Sequence, residues 1–136
     1  MPERKTLERA EQDKREGKSP STQAGEFVRE EIDHIREGKH GAASAKQAIA
    51  IGLSKARRAG IDLPPPKAGR VSAKTRKSAE RDYARGHSRK KKTTSTSRSR
   101  SREAALKKEP RSAASHQALS RQARSAARKR SRQKAA

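Results

Sequence analysis

The residues best suited to bind a metal ion lie in the short stretch from Glu30 to His40, EEIDHIREGKH. Glu30, His34 and Glu37 recur at i, i+4 and i+7, which puts three side chains on one face of a helix, and His40 follows in the next loop. Histidine and carboxylate side chains at this spacing can bind a divalent cation. The alternative is a solvated polar face on which Glu30 and His34 form a charge pair. Both interpretations stay open, but we favour the polar face and predict no metal ion and no other cofactor.

The sequence lacks the arrangements that indicate an enzyme. It contains no P-loop, no nucleophile elbow and no glycine-rich loop that could hold a phosphate group. Serine and threonine are plentiful, but they lie in basic, low-complexity segments where no fold places a base or an orienting acid beside them. Catalysis requires groups that are preorganised in this way. We therefore predict that the protein is not an enzyme.

The charge is segregated along the chain. The 136 residues include 37 Lys and Arg and 15 Asp and Glu, which gives a formal net charge of +22. Residues 1–20 and residues 21–63 each contribute +1, whereas residues 64–136 contribute +20. A block of like charge repels itself unless a polyanion neutralises it, so the candidate partners are nucleic acid, an anionic membrane surface and acidic protein. Because the basic residues are concentrated, we predict nucleic-acid binding, with DNA favoured over RNA.

The predicted nucleic-acid-binding residues are lysines and arginines of this basic segment, which would neutralise phosphates and release condensed counterions. Readout of base edges requires side chains held rigidly in a groove, and stacking on single strands requires aromatic residues. The basic segment offers Tyr83 alone, so we predict binding that is independent of sequence. The residues are Lys74, Arg76, Lys77, Arg89, Lys90, Lys91, Lys92, Arg98, Arg100, Arg102, Arg121, Arg124, Arg128, Lys129, Arg130 and Arg132.

Two helices are predicted before the basic segment. Val28, Ile32 and Ile35 form an apolar stripe at i, i+4 and i+7, which predicts a first helix over about 24–37. Gly38 follows it as a suitable stop. The second helix is predicted over about 45–59, within the sequence SAKQAIAIGLSKARRAGIDLPPP.

The second helix carries clear signals at both ends. Ser44 followed by Gln47 is a capping box, and Gly60 followed by Ile61 is the pattern of a Schellman motif. Three prolines after Leu63 then prevent any continuation. The connection GKHGAA has six residues, which favours an antiparallel hairpin of the two helices.

Two residues of the second helix bear on its packing. Gly52 lies on the apolar face, and we predict that a partner helix approaches closely there, because glycine otherwise costs a helix about 1 kcal/mol. Ile51 points away from the apolar face. Its exposure is either incidental or marks a homodimer contact through the hairpin, and both interpretations stay open.

The overall composition predicts little order outside the hairpin. Only 28% of the residues are hydrophobic and 38% are charged, which is typical of chains that cannot offset the entropy cost of ordering. We therefore predict a mostly α protein, with a short antiparallel helical hairpin and a long, largely disordered basic C-terminal tail. The predicted parts are a charged flexible leader (1–20), the helical hairpin (21–63) and a basic low-complexity tail (64–136) with helices near 72–85 and 113–132.

Two resemblances agree with this organisation. The segment from Glu26 to Pro66 resembles a family of small basic bacterial proteins of unknown function with a core of the KQAIAIGLSKARRAG type. Because that family has no settled activity, the likeness implies no particular chemistry. The tail is similar in composition to the Lys/Arg/Ala/Ser tails of linker histones and of bacterial histone H1-like proteins, which implies binding to DNA.

These observations lead to one principal prediction and one alternative. The principal prediction is a histone H1-like, nucleoid-associated protein in which the hairpin positions or dimerises the chain while the tail neutralises DNA phosphates. The alternative is an adaptor whose hairpin binds a partner protein and whose tail tethers it to RNA or ribosomes. The sequence has neither a membrane span of about 18 apolar residues nor the apolar region of a signal peptide, so we expect a cytoplasmic, nucleoid location.

Overall fold

The structure is a computed structural model that describes residues 2–88 and 95–135. These residues form six α-helices and one 3₁₀ helix, which we call the 3₁₀ segment. In chain order they are α1 (Arg4–Arg15), α2 (Pro20–Arg36), α3 (Ala45–Arg58), α4 (Ala73–Gly86), α5 (Thr96–Lys107), the 3₁₀ segment (Arg111–Ala114) and α6 (His116–Ala135). Within the described ranges the only β-type pairing is an isolated bridge between Ala68 and Val71, and no helix is long and apolar enough to cross a membrane.

Helix α2 begins earlier than its apolar stripe indicates. The hydroxyl of Ser19 accepts a hydrogen bond from the backbone N–H of Thr22 at 3.3 Å, so Ser19 is the N-cap. Pro20 takes the first helical position, where its missing N–H leaves no bond unmade. The helix ends at Arg36, close to the predicted end, and Gly38 follows with a φ of +82°, a conformation that suits glycine.

Helix α3 has the termini that the sequence predicts. The hydroxyl of Ser44 accepts from the backbone N–H of Gln47 at 3.1 Å. The Gln47 side chain accepts in return from the backbone N–H of Ala43 at 2.6 Å, so the reciprocal bond goes to the residue before the cap. Gly60 has a φ of +96°, and its N–H donates to the Arg57 carbonyl at 3.1 Å, as a Schellman motif requires.

Helices α2 and α3 touch through their backbones at Gly52. A Cβ atom at Gly52 would lie 2.6 Å from the Cα atom of Val28 and 2.9 Å from its backbone nitrogen. No side chain fits into that space. The predicted close approach of a partner helix at Gly52 is confirmed.

Two small apolar clusters form the core, and alanine supplies most of their buried side chains. The α1-side cluster contains Ala10, Ala24, Phe27 and Ala56, with Leu53, Ile61 and Leu63 packed against it. The tail-side cluster contains Ile32, Ile35, Ala42, Ala48, Ala113 and Ala114, with Val28 and Leu119 packed against it. The hairpin therefore shares its core with residues from both ends of the chain.

The prediction of a long, largely disordered tail is wrong. The described residues of the tail form α4, α5, the 3₁₀ segment and α6, and the fold is a packed helical bundle rather than a hairpin with a free tail. Ala113 and Ala114 are buried in the tail-side cluster. The backbone N–H of Ala42 also donates to the Pro110 carbonyl at 3.1 Å. The low hydrophobic fraction misleads because the core is built largely from alanine, whose small side chain is buried here by close contact between elements.

Helix α1 lies within the segment that was expected to be a leader, and it packs against α2. Thr6, Ala10 and Asp13 are buried along one face, and Ala10 joins Phe27 in the α1-side cluster. Asp13 accepts a hydrogen bond from the Lys18 ammonium at 3.2 Å. The buried face consists of small and polar side chains, so hydrophobic spacing alone does not mark it.

Candidate nucleic-acid interface

The predicted nucleic-acid-binding residues that the structure describes lie on three helices. They are Lys74, Arg76 and Lys77 on α4, Arg98, Arg100 and Arg102 on α5, and Arg121, Arg124, Arg128, Lys129, Arg130 and Arg132 on α6. All of these side chains are exposed except that of Arg76, which is half-buried and pairs with Glu80 at 3.2 Å. Four further predicted residues, Arg89, Lys90, Lys91 and Lys92, lie outside the described residues.

Helix α6 carries the most concentrated basic surface. It contains seven Lys and Arg residues and neither Asp nor Glu. Arg121, Arg124, Arg128 and Arg132 recur at i, i+3, i+7 and i+11, so they share one side of the helix; we call them the α6 arginine face. At 1.5 Å per residue this face extends over about 16 Å. Phosphates on one DNA strand are about 3.4 Å apart along the axis, so the face matches about five of them.

The opposite side of α6 rests on the rest of the protein. Leu119 packs against the tail-side cluster, and Gln122 and Ala126, at the next helical positions on that side, are half-buried. The Lys129 ammonium donates to the Arg70 carbonyl at 3.3 Å, which connects α6 to the loop between α3 and α4. These contacts orient the helix so that the α6 arginine face points to solvent.

Acidic residues do not offset the charge of α6. The chain has four of them after Pro66, and three pair with basic residues outside α6. These pairs are Glu80 with Arg76 at 3.2 Å, Asp82 with Arg58 at 3.9 Å, and Glu103 with Lys107 at 3.5 Å. The positive charge of α4 and α5 is therefore partly neutralised within the protein, whereas that of α6 has no acidic residue on the same helix.

Arg57 is not part of the exposed basic surface, because it is buried and binds backbone carbonyls. It is only 7% exposed, and its guanidinium donates to the carbonyls of Leu63 and Pro64, each at 3.3 Å. Burial lowers the pKa of the guanidinium from its usual value, while the negative charge of Asp82 acts in the opposite direction. These two hydrogen bonds fix the chain reversal before the prolines.

Arg36 and Arg111 form a second structural pair that the sequence did not reveal. The Arg36 guanidinium donates to the Ala114 carbonyl at 3.0 Å. The Arg111 guanidinium donates to the carbonyls of Ile35, at 3.3 Å, and Arg36. The Ile35 and Arg36 carbonyls lie in the last turn of α2. The two arginines thus bind the 3₁₀ segment to the end of α2 across more than 70 residues of sequence.

Neither aromatic residue is placed for stacking on bases. The chain has one Phe, one Tyr and no Trp. Phe27 is fully buried. The hydroxyl of Tyr83 donates to the Asp62 carboxylate at 2.5 Å, and its ring stacks on that of His87 with 4.1 Å between centroids. The hydrogen bond to Asp62 is the main reason that the pKa of Tyr83 is raised, and burial adds to it.

The predicted metal-binding side chains are arranged differently from the sequence prediction. Glu37 is exposed and pairs with Lys39 at 3.4 Å; it belongs to neither group of potential ligands that includes His34. Within the described ranges these two groups are Glu3, Glu30 and His34, and Glu31, His34 and His40, and in each group the ligand atoms lie within 4.8 Å of one another. Glu3 could not be found from local spacing, because it approaches α2 from a distant part of the sequence.

The groups are held by direct contacts. His34 Nε2 lies 2.9 Å from Glu3 Oε1, and this hydrogen bond is the main cause that lowers the pKa of Glu3 below its usual value. Glu31 is 1% exposed. Its carboxylate contacts the Lys55 ammonium and, at 3.1 Å, His40 Nε2.

The fold and the surface define a small helical protein with a strongly cationic C-terminal half. Residues 13–68 match the model of a family of unknown function (DUF6496). The match spans α2, α3 and the proline run, whereas α4, α5 and α6 lie beyond it. Comparison with curated proteins and with solved structures found no match.

Proposed function

We propose that this protein binds duplex nucleic acid, DNA in preference to RNA, through the phosphate backbone and without reading the base sequence. The α6 arginine face makes the main contacts, and the exposed basic residues of α4 and α5 extend the surface. A nucleoid location follows from this activity and is part of the same proposal. The observation that carries it is the composition of α6, which has seven basic residues, no acidic residue and a solvent-facing row of four arginines.

The chemistry of the side chains supports contact with phosphate. A guanidinium has five N–H donors in a fixed plane and matches the geometry of phosphate oxygens. Arg121 and Arg124 each donate one N–H to a backbone carbonyl of their own helix at 3.5 Å, which leaves most of their donors for a ligand. Each phosphate that is neutralised on duplex DNA adds about 0.9 to the slope of log affinity against log salt.

The aromatic residues support a duplex rather than a single strand as the ligand. Proteins that bind single strands without sequence preference stack successive bases on exposed aromatic rings. Phe27 is in the core and Tyr83 is held by Asp62 and His87. Backbone contacts are the remaining source of affinity, and they carry no sequence information by themselves.

The test is a quadruple variant of the α6 arginine face, Arg121→Gln, Arg124→Gln, Arg128→Gln and Arg132→Gln. Glutamine has nearly the same helix propensity as arginine, so the helix should persist. We expect affinity for two unrelated duplexes to fall equally, with the magnitude of the salt slope reduced by up to about 3.6. A parallel titration with structured RNA measures the preference for DNA.

A matched control removes the same amount of charge from the other end of the protein. Arg4, Lys5, Arg9 and Arg15 are exposed on α1, and changing all four to Gln should leave the salt slope nearly unchanged. The corresponding four Arg→Lys changes on α6 should retain most of the affinity and the full salt slope, because lysine keeps the charge that releases counterions and loses only the second N–H donor to each phosphate. Equal losses in the α1 and α6 Gln variants would mean that only net charge matters. An unchanged slope in the α6 variant would refute the proposal.

The adaptor hypothesis has less support from the fold. The apolar faces of α2 and α3 are covered, within the described ranges, by α1, the 3₁₀ segment and residues 61 and 63. A partner protein would have to displace one of these elements. Dimerisation through the hairpin meets the same difficulty, and measurement of the solution mass by light scattering would test it.

A further inference from the structure

We propose that Glu3, Glu30 and His34 form a binding site for one divalent transition-metal ion, with Zn²⁺ as the best match. One potential ligand atom from each side chain lies within 4.8 Å of the other two, and His34 Nε2 is 2.9 Å from Glu3 Oε1. Ligand atoms that lie about 2.0–2.1 Å from a tetrahedral Zn²⁺ are about 3.3 Å from one another. Small side-chain movements would therefore bring all three onto one ion.

A buried oxygen of Glu30 is the second observation that points to a cation. Glu30 is 5% exposed, and its Oε2 atom has no hydrogen-bond partner among the described residues. A buried polar atom without a partner is costly, so it needs an explanation such as a bound ion. The other oxygen of Glu30 accepts the backbone N–H of Glu3, which fixes the carboxylate beside the Glu3 side chain.

The neighbouring group of Glu31, His34 and His40 is a poorer site. Both oxygens of Glu31 already have partners, since Oε1 contacts the Lys55 ammonium and Oε2 contacts His40. The positive charge of Lys55 opposes the approach of a metal ion to this carboxylate. The ring of His40 packs edge-on against that of His34, with centroids 6.3 Å apart. His40 therefore borders the proposed site but is not one of its ligands.

The ligand types select the ion. A histidine nitrogen with two carboxylate oxygens suits Zn²⁺, whereas Mg²⁺ and Ca²⁺ prefer oxygen ligands alone. One existing cation has to move when the ion binds, because Lys39 Nζ lies 3.5 Å from Glu3 Oε1. Its side chain is 54% exposed and also contacts Glu37 at 3.4 Å. The ammonium can therefore keep one carboxylate partner as it leaves Glu3.

The experiment is calorimetric titration of untagged, chelator-treated full-length protein with Zn²⁺. We expect one ion per chain, and about a tenfold or greater loss of affinity in Glu3→Gln, Glu30→Gln and His34→Gln. Asp33→Asn is the matched control, because it removes a carboxylate from an exposed position of α2 that belongs to neither group of potential ligands, and it should bind like the wild type. The visible spectrum of Co²⁺ bound in place of Zn²⁺ should change in Glu3→Gln.

Glu3 is exposed and precedes α1, so Glu3→Gln should fold even if a buried variant does not. Circular dichroism without metal checks each variant. The proposal is overturned if the wild type shows no saturable binding of one ion, or if Glu3→Gln binds as tightly as the wild type. It is also overturned if His40→Gln abolishes binding while Glu3→Gln does not, since the ion would then occupy the neighbouring group.

Discussion

Replacing Gly52 with alanine should destabilise the protein, although alanine favours a helix more than glycine does. The change gains about 1 kcal/mol of helix propensity. Against this, the new Cβ atom would lie 2.6 Å from the Cα atom of Val28, and a backbone atom cannot rotate away. Overpacking costs about 1–3 kcal/mol, and a backbone clash belongs at the upper end because α2 and α3 must separate. The expected net loss is about 1–2 kcal/mol, or a fall in Tm of about 3–10 °C.

Gly25 provides the control for this substitution. It also lies inside a helix, α2, but a Cβ atom there would meet nothing within 4 Å. Gly25→Ala should therefore stabilise the protein by about 0.5–1 kcal/mol. Thermal and urea unfolding, followed by far-ultraviolet circular dichroism, measures both variants. If Gly52→Ala gains stability as Gly25→Ala does, the close backbone contact between α2 and α3 is wrong.

Three further predictions test the packing of the tail, an ionisable pair and the α1-side cluster. Ala114→Asp would bury a carboxylate at a position that is 1% exposed and should cost on the order of 3–5 kcal/mol. Ala84→Asp, on the exposed side of α4, should cost only about 1 kcal/mol, through helix propensity and the helix dipole. Similar stabilities of the two variants would show that the 3₁₀ segment is not docked. Asp62→Asn should lower the pKa of Tyr83 towards about 10, as followed by tyrosinate absorbance of the only Tyr in the chain. The pKa of Tyr83 is raised in the folded protein, so the stabilisation from its hydrogen bond to Asp62 is present below the unfolded pKa of Tyr83 and is lost as pH rises through the folded pKa. An unchanged Tyr83 titration in Asp62→Asn would contradict this pairing. Leu53→Ala should lower the free energy of unfolding in urea by about 2 kcal/mol, which is at the low end for a core leucine because Leu53 is half-buried. No loss of stability would mean that Leu53 does not pack on the α1-side cluster.

The hairpin could be predicted because its signals are local. Ser44 and Gln47 form their bonds within one turn, and the stop at Gly60 depends on the three residues before it. The start of α2 was missed by four residues, because the apolar stripe begins later than the cap at Ser19. A stripe indicates which face is buried, but the end of a helix is set by capping groups outside it.

The docking of the tail could not be predicted, because it depends on contacts between residues far apart in sequence. Arg36 and Arg111 donate to carbonyls more than 70 residues away, and Ala113 and Ala114 pack in one cluster with Ile32 and Ile35. An alanine pair has no apolar periodicity of its own. The sequence around it, rich in Ser, Arg and Ala, is equally compatible with disorder.

The group of Glu3, Glu30 and His34 could be predicted only in part, because one of its members comes from a distant part of the sequence. Helical spacing placed Glu30, His34 and Glu37 on one face, and Glu30 and His34 do lie together in one group of potential ligands. It added Glu37, which pairs with Lys39 instead, and it missed Glu3, which belongs to the group only because α1 packs on α2. Local periodicity finds ligands on one helix, whereas a site built between helices requires the tertiary structure.

A docked α6 changes how the proposed DNA contacts should behave. In a disordered tail each basic side chain could contact a phosphate independently of the others, and the tail would lose conformational entropy on binding. Helix α6 is already held by Leu119 and by the bond from Lys129 to Arg70, so less of that loss remains. Its four arginines are then presented together over about 16 Å, and one side of one helix can reach only a limited number of phosphates. The contribution of this face to the salt slope should accordingly stay near or below about 3.6, well under what the total charge of +22 would suggest.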